Sequence, residues 1–119
     1  MARSNQPYPA QSSVSGLSNG KQISIAATAT PGTLLHTAVA GTVDWDFVTV
    51  EFSNNTGSDI TVTVEWGGVT SADIFEVIVP AHSTIVGVDR RRLRNAHTVA
   101  AFAPTAVNAY VEVDSWPLE

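Results

Sequence analysis

The sequence predicts an all-β protein, an antiparallel β-sandwich of about eight strands. Apolar and polar residues alternate with a period of two in several segments, as strands with one buried face require. Glycine, proline and asparagine interrupt these segments at intervals of roughly 8–12 residues. No segment of useful length combines helical periodicity with helix caps. Sheets without helices must bury their apolar faces against each other, either as two packed sheets or as a closed barrel. Of these we favour two packed sheets, with a jelly-roll-like strand order as one arrangement.

The first 20 residues differ in composition from the rest of the chain. They contain proline, glycine, serine, glutamine and asparagine, with almost nothing to bury. Such a segment cannot offset its ordering entropy alone, so we predict a flexible N-terminal arm over residues 1–20 and a sandwich domain over 21–119. Tyr8, between two prolines, is the large side chain that would anchor the arm if it orders against a neighbouring subunit.

The first predicted strands lie before residue 42. Residues 22–30 contain Ile23 and Ile25 in alternation, and a Pro-Gly turn follows them. Residues 33–39 form the second predicted strand, which ends at an Ala-Gly pair.

Residues 44–66 carry the clearest pattern in the chain. Val48, Val50 and Phe52 alternate with polar residues, and after a glycine-containing turn at 54–58 the alternation resumes at Ile60, Val62, Val64 and Trp66. We predict a β-hairpin with these side chains facing the core. Glu51 and Glu65 then lie on its solvent face, close to one another. Asp44 and Asp46 are predicted to be a solvated strand start.

The second half of the chain contains four further predicted strands, bounded by proline or glycine and by a polar loop at residues 89–96. The strands lie at residues 73–79, 83–88, 97–103 and 106–115.

Composition limits the possible functions. At 119 residues the chain forms one domain that buries roughly two-thirds of its unfolded surface. Charged residues make up 14% and the net charge is −5, which argues against nucleic acid or anionic membranes as partners. There is no cysteine, and we expect a chain made in the cytosol because no transmembrane span or signal peptide is evident.

Candidate catalytic or metal-binding residues do not converge. His36, His82 and His97 lie in separate elements without the close spacing of metal-ligand pairs. The sequence contains neither a nucleophile elbow nor a phosphate-binding glycine loop. We therefore predict no catalytic residue, no metal and no cofactor, and a chain that is not an enzyme.

Arg90, Arg91, Arg92 and Arg94 are four of the six basic residues. One interpretation is a solvated loop with Asp89 as a local partner. The other is a contact patch for an acidic protein surface, because the planar guanidinium makes paired hydrogen bonds to carboxylates. DNA is a third possibility, but the acidic domain would bind it weakly.

The tryptophans also allow different interpretations. Trp66 continues the inward alternation and is predicted to belong to the core. Trp45 and Trp116 lie near strand ends, where they could pack, stack on sugars as in a carbohydrate-binding module, or anchor a protein interface.

Several turn and strand patterns are distinctive when taken together. They lie at residues 22–32, 35–38, 53–54, 61–68 (TVTVEWGG), 79–81 and 110–111. These patterns resemble small structural proteins of tailed bacteriophages, in particular capsid decoration proteins, also called cement or head-stabilisation proteins. The resemblance covers about residues 21–113 and departs at 89–94, where four arginines occupy a turn.

The resemblance implies a role without chemistry. A β-sandwich would bind the outer surface of the major capsid protein lattice, commonly as a homotrimer, and strengthen the shell. The chain would be made in the bacterial host cytoplasm and reside in the virion. We expect capsid contacts at Tyr8, Arg90, Arg91, Arg92, Arg94 and Trp116. Two alternatives remain: another virion component (head–tail connector, tail or fibre-associated domain), and a carbohydrate-binding β-sandwich module.

Overall fold

A computed structural model describes the backbone of residues 11–14 and 21–117 and the side chains of residues 21–114. The described part consists of nine strands joined by turns, without a helix. The strands are β1 (Gln11–Val14), β2 (Ile23–Ile25), β3 (Thr33–Thr37), β4 (Asp44–Asn54), β5 (Ile60–Trp66), β6 (Ile74–Val79), β7 (Ser83–Leu93), β8 (Thr98–Phe102) and β9 (Val107–Pro117).

The strands form two antiparallel sheets. In sheet A, β9 pairs with β4 on one side, and with β2 and β1 on the other, while β7 pairs with the far side of β4. Sheet B has the order β3-β8-β5-β6. From β2 onward this is the jelly-roll order, in which most consecutive strands lie in opposite sheets. The predicted β-sandwich is confirmed.

The core lies between the two sheets. Every second residue of β4 from Asp46 onward is buried, because successive strand side chains point to opposite faces. The core is built mainly from valine and alanine, whose compact side chains suit closely packed strands. Its fully buried members include Leu35, Val48, Val50, Phe52, Val62, Val64, Val79, Val99, Ala101, Ala109 and Val111.

The predicted hairpin over residues 44–66 is wrong. β4 belongs to sheet A and β5 to sheet B, so the turn between them crosses from one sheet to the other. Both strands do present their predicted apolar faces to the core, but they do so from opposite sides of it. A period of two specifies which side chains point inward and does not specify the pairing partner.

Asn54 organises the connection between β4 and β5. It is buried, and its Nδ2 donates to the carbonyls of Ser58 at 2.7 Å and Val79 at 3.0 Å. Its Oδ1 accepts from the backbone N–H of Thr56 at 2.9 Å and from the Thr56 hydroxyl at 2.7 Å. One side chain therefore holds the turn to the end of β6.

The prediction of Glu65 as a solvent-facing neighbour of Glu51 is also wrong. The two residues lie in different sheets, and Glu65 is 3% exposed. The connection between β2 and β3 lies over it, and the Gly32 N–H donates to Glu65 Oε1 at 2.8 Å. Gly32 passes so close to β8 that a Cβ there would lie 2.6 Å from the carbonyl oxygen of Ala101.

β7 is longer than predicted, since residues 89–93 continue the strand instead of forming a loop. Its pairing with β4 contains two irregularities: Val48 lies opposite Arg91 and Val50 opposite Val88, and Glu51 then lies opposite Val86. β7 therefore carries an extra residue twice, which are β-bulges. At one of them Arg90 has a positive φ of 49°, and its N–H donates to Thr49 Oγ1 at 3.1 Å.

Part of the N-terminal segment is paired. Residues Gln11–Val14 form β1 against residues 112–115 of β9, a strand that the sequence analysis did not predict. The assignment of residues 1–20 as a flexible arm stays a prediction, and Tyr8 lies outside the described residues. Across the described ranges, no helix offers the length and hydrophobicity that a bilayer span needs.

Candidate interaction surface

Two aromatic residues of β4 lie on the outer face of sheet A. Asp46 and Val48 point inward, so Trp45 and Phe47 point outward. In the neighbouring strands Phe47 lies opposite Arg92 of β7 and Asp114 of β9. The register therefore brings arginine, aromatic and carboxylate side chains together in adjacent strands.

Three arginines stack on these two rings. The Arg90 guanidinium carbon lies 5.3 Å from the centre of the Phe47 ring. Those of Arg92 and Arg94 lie 5.1 Å and 3.9 Å from the Trp45 ring. These distances are within the range of cation–π interactions. We call Trp45, Phe47, Arg90, Arg92 and Arg94 the arginine–aromatic surface.

Two of the three arginines also have polar partners. Arg90 forms an ion pair with Asp114, and Arg94 Nη1 donates to the carbonyl of Thr42 at 2.7 Å. Arg92 is exposed, and its guanidinium forms no hydrogen bond with the described residues. Its donors are thus available while its plane is held against Trp45.

Arg91 is separated from the other three arginines. It lies opposite Val48, and its guanidinium sits 5.2 Å from the Trp66 ring and 5.0 Å from the Phe75 ring, both in sheet B. It therefore covers the open side between the two sheets. Of the four arginines predicted as one patch, the fold brings together three.

The chemistry of the surface is suited to binding carboxylates. A guanidinium stacked on an aromatic ring keeps its N–H donors at the edge of its plane, where a carboxylate can accept two hydrogen bonds. Because the rings already restrict the arginines, less side-chain entropy remains to be lost on binding.

Protection of a sheet edge is a competing explanation for the arginines. β7 is an edge strand, and bulges and charged side chains both discourage pairing with another chain. This explains the charge and the bulges of β7. It does not require Trp45 and Phe47 to occupy the outer face beneath the guanidiniums.

Phe47 and Asp114 were not predicted as neighbours of the arginines. Alternation within residues 44–48 was a usable signal, since it places Trp45 and Phe47 on one face. The pairing of Phe47 was not readable, because its partners Arg92 and Asp114 lie 45 and 67 positions away in the chain. The backbone of Trp116 lies opposite Trp45, whereas its side chain is outside the described part.

Asp46 differs from its prediction as part of a solvated strand start. It is 4% exposed, and its Oδ2 lies 2.9 Å from His36 Nε2 and accepts from the Val39 N–H at 3.0 Å. This pair joins β4 to β3 across the core. Over residues 21–114, no three histidine or acidic side chains are grouped as a metal site would require.

Comparison of the chain with protein-family models, with curated proteins and with solved structures finds no match.

Proposed function

We propose that this chain is a structural protein of a tailed-bacteriophage virion that binds the outer surface of the capsid and stabilises it. The main observation that supports the proposal is the arginine–aromatic surface. It places three guanidiniums against two aromatic rings on an otherwise acidic chain, and of these three Arg90 is paired with Asp114. It is suited to an acidic protein surface.

The architecture agrees with this role without establishing it. Jelly rolls serve as viral capsid domains and also as lectins and cupins. A fold by itself does not determine function, so the support for this role comes from the surface. The resemblance to decoration proteins adds the expected partner, the major capsid protein lattice.

The proposal includes self-association. The resemblance implies a homotrimer, and linking several weak docking sites raises the avidity for a repetitive lattice. In this proposal the N-terminal arm, with Tyr8, adds contact area on a neighbouring subunit and Trp116 extends the contact beyond Trp45.

The surface favours a protein partner over a sugar. A sugar-binding tryptophan stacks its ring face against the ligand, whereas Arg92 and Arg94 both approach the Trp45 ring. A carbohydrate-binding module is therefore the weaker candidate.

A matched pair of charge reversals tests the proposal. Arg92→Glu and Arg91→Glu change the same charge in the same strand, but Arg92 lies on the arginine–aromatic surface, whereas Arg91 lies against Trp66 and Phe75 at the open side between the sheets. We expect Arg92→Glu to weaken binding to empty capsids of the cognate phage by about tenfold or more, from loss of a charge-assisted contact. Arg91→Glu should change binding much less.

Cosedimentation with capsids measures both affinities, and thermal unfolding verifies that each variant is folded. Equal losses for the two variants would show a general charge effect and contradict a specific surface. Unchanged binding by Arg92→Glu would remove this surface from the contact.

A further inference from the structure

We infer that the free edge of β6 pairs with β6 of a second copy of this chain, around a two-fold axis. β6 is the last strand of sheet B and pairs only with β5 among the described strands. This edge belongs to sheet B, whereas the arginine–aromatic surface lies on the outer face of sheet A, and the inference does not depend on the capsid proposal.

The pairing with β5 shows which backbone groups face the free edge. The Trp66 N–H donates to the Asp73 carbonyl at 3.0 Å, directly before β6 begins. Hydrogen-bonded and non-hydrogen-bonded pairs alternate along an antiparallel ladder. Phe75, Val77 and Val79 therefore direct their amides and carbonyls toward β5. The backbone groups of residues 74, 76 and 78 point to the open edge.

The side chains of these same three residues lie on the outer face of sheet B. Ile74 is 39% and Ile78 is 62% exposed, and Glu76 between them is exposed as well. The segment IFEVIV combines high β-propensity with a single charge and no proline, the composition of strands that readily pair with other strands.

The edge is complementary to itself. In an antiparallel pair with Glu76 opposite Glu76, Ile74 of each copy lies opposite Ile78 of the other. Residues 74, 76 and 78, whose backbone groups point to the open edge, then form hydrogen-bonded pairs with the second copy. On the inner face Phe75 lies opposite Val77. Each exposed isoleucine thus gains an apolar cross-strand partner, which is the reason for assigning the edge to a second copy.

The adjacent edge strand β7 does not offer such an edge, because it carries two bulges and three basic side chains. Two features keep the β6 contact weak. Glu76 lies opposite Glu76 of the second copy, so two like charges meet. The two-fold axis also brings the arginine-rich β7 edges of both copies nearer to each other. A strand of six residues also buries less area than a stable interface needs. We therefore expect dimers to form at protein concentrations of about 0.1–1 mM.

Sedimentation equilibrium of the full chain tests the inference. Because the opposed charges are alike, dimerisation should strengthen as salt rises, whereas docking of arginines on an acidic surface should weaken. Glu76→Gln should tighten the dimer by about two- to fivefold. Ile78→Lys should abolish it, while Val43→Lys, an equally exposed valine before β4, should not.

Cysteine crosslinking tests the register, since the chain contains no cysteine. Glu76→Cys places two thiols opposite each other across the axis and should form disulfide dimers under mild oxidation. Thr61→Cys, exposed on β5 one strand away, should form them far more slowly. A monomeric Glu76→Gln variant at millimolar concentration in high salt would overturn the inference, as would equal crosslinking at positions 61 and 76.

Discussion

At the scale of single residues, Gly87 shows how closely the two sheets pack. A Cβ at this position would lie 2.5 Å from Cε2 of Phe52 and 3.3 Å from Cγ1 of Val77. The Phe52 ring is fully buried, so it has no free space into which to move.

We expect Gly87→Ala to destabilise the protein by about 1–3 kcal/mol, because the added methyl group overpacks the core. Gly57→Ala is the control, since the nearest atom to its Cβ would be 3.8 Å away in an exposed turn. Urea unfolding of both variants measures the difference. A Gly87→Ala variant as stable as Gly57→Ala would show that Phe52 relocates without cost.

Glu65 is the residue at which the alternation pattern was least informative. The pattern correctly predicts that the Glu65 side chain points away from the core. The loop containing Gly32 covers this side chain, and alternation within strands does not predict where a loop lies. Its Oε2 is buried and has no hydrogen-bond partner among the described residues. Burying a carboxylate that is only partly hydrogen-bonded is unfavourable.

We therefore expect Glu65→Gln to stabilise the protein by about 1 kcal/mol, because the amide oxygen can still accept from Gly32 and an amide costs less to bury than a carboxylate. Glu112→Gln, at an exposed position of β9, should have little effect. Thermal unfolding of the two variants distinguishes them. A lower melting temperature for Glu65→Gln than for Glu112→Gln would mean that the carboxylate has a partner that offsets its burial.

At the scale of elements, the crossing between β4 and β5 explains why the predicted hairpin failed. The strands, their limits and their inward faces were predictable, because burial on one face imposes a period of two. A five-residue connection fits both a hairpin and a crossing between sheets. The crossing depends on Asn54, whose four hydrogen bonds are formed only in the folded turn.

We expect Asn54→Ala to destabilise the protein by about 2–4 kcal/mol, because it leaves the Val79 carbonyl and the Thr56 N–H without their partner. Asn55→Ala, at the exposed neighbouring position, should change stability by less than about 0.5 kcal/mol. Chemical denaturation measures both values. Comparable losses in the two variants would contradict a specific role for Asn54.

β7 shows that the members of the candidate surface, like the pairing of β4 and β5, could not be predicted from the sequence. Four clustered arginines were visible in the sequence, and their basic character suggested a contact. Their polarity also suggested a loop, because strands rarely contain such runs. The pairing with β4 decides which of them meet Trp45 and Phe47, and the bulge at Arg90 changes that register locally. The membership of the surface therefore required the fold.

At the scale of the whole molecule, charge is unevenly distributed. Four of six basic residues lie within residues 90–94 of a chain whose net charge is −5. A dipolar arrangement of this kind orients the molecule toward an acidic surface and makes association dependent on ionic strength. The fold class was predictable from periodicity and turns. The capsid as partner was inferred only from the resemblance to decoration proteins, and it stays a prediction.

The number of copies bound per capsid tests the central claim most directly. Purified full-length chain is mixed to saturation with empty capsids of the cognate phage, and the bound protein is quantified after sedimentation. Docking on a repeated lattice predicts on the order of hundreds of copies per capsid, and weaker binding as salt rises. A few copies per particle, as for a connector or tail component, or no bound protein at all, would contradict capsid decoration.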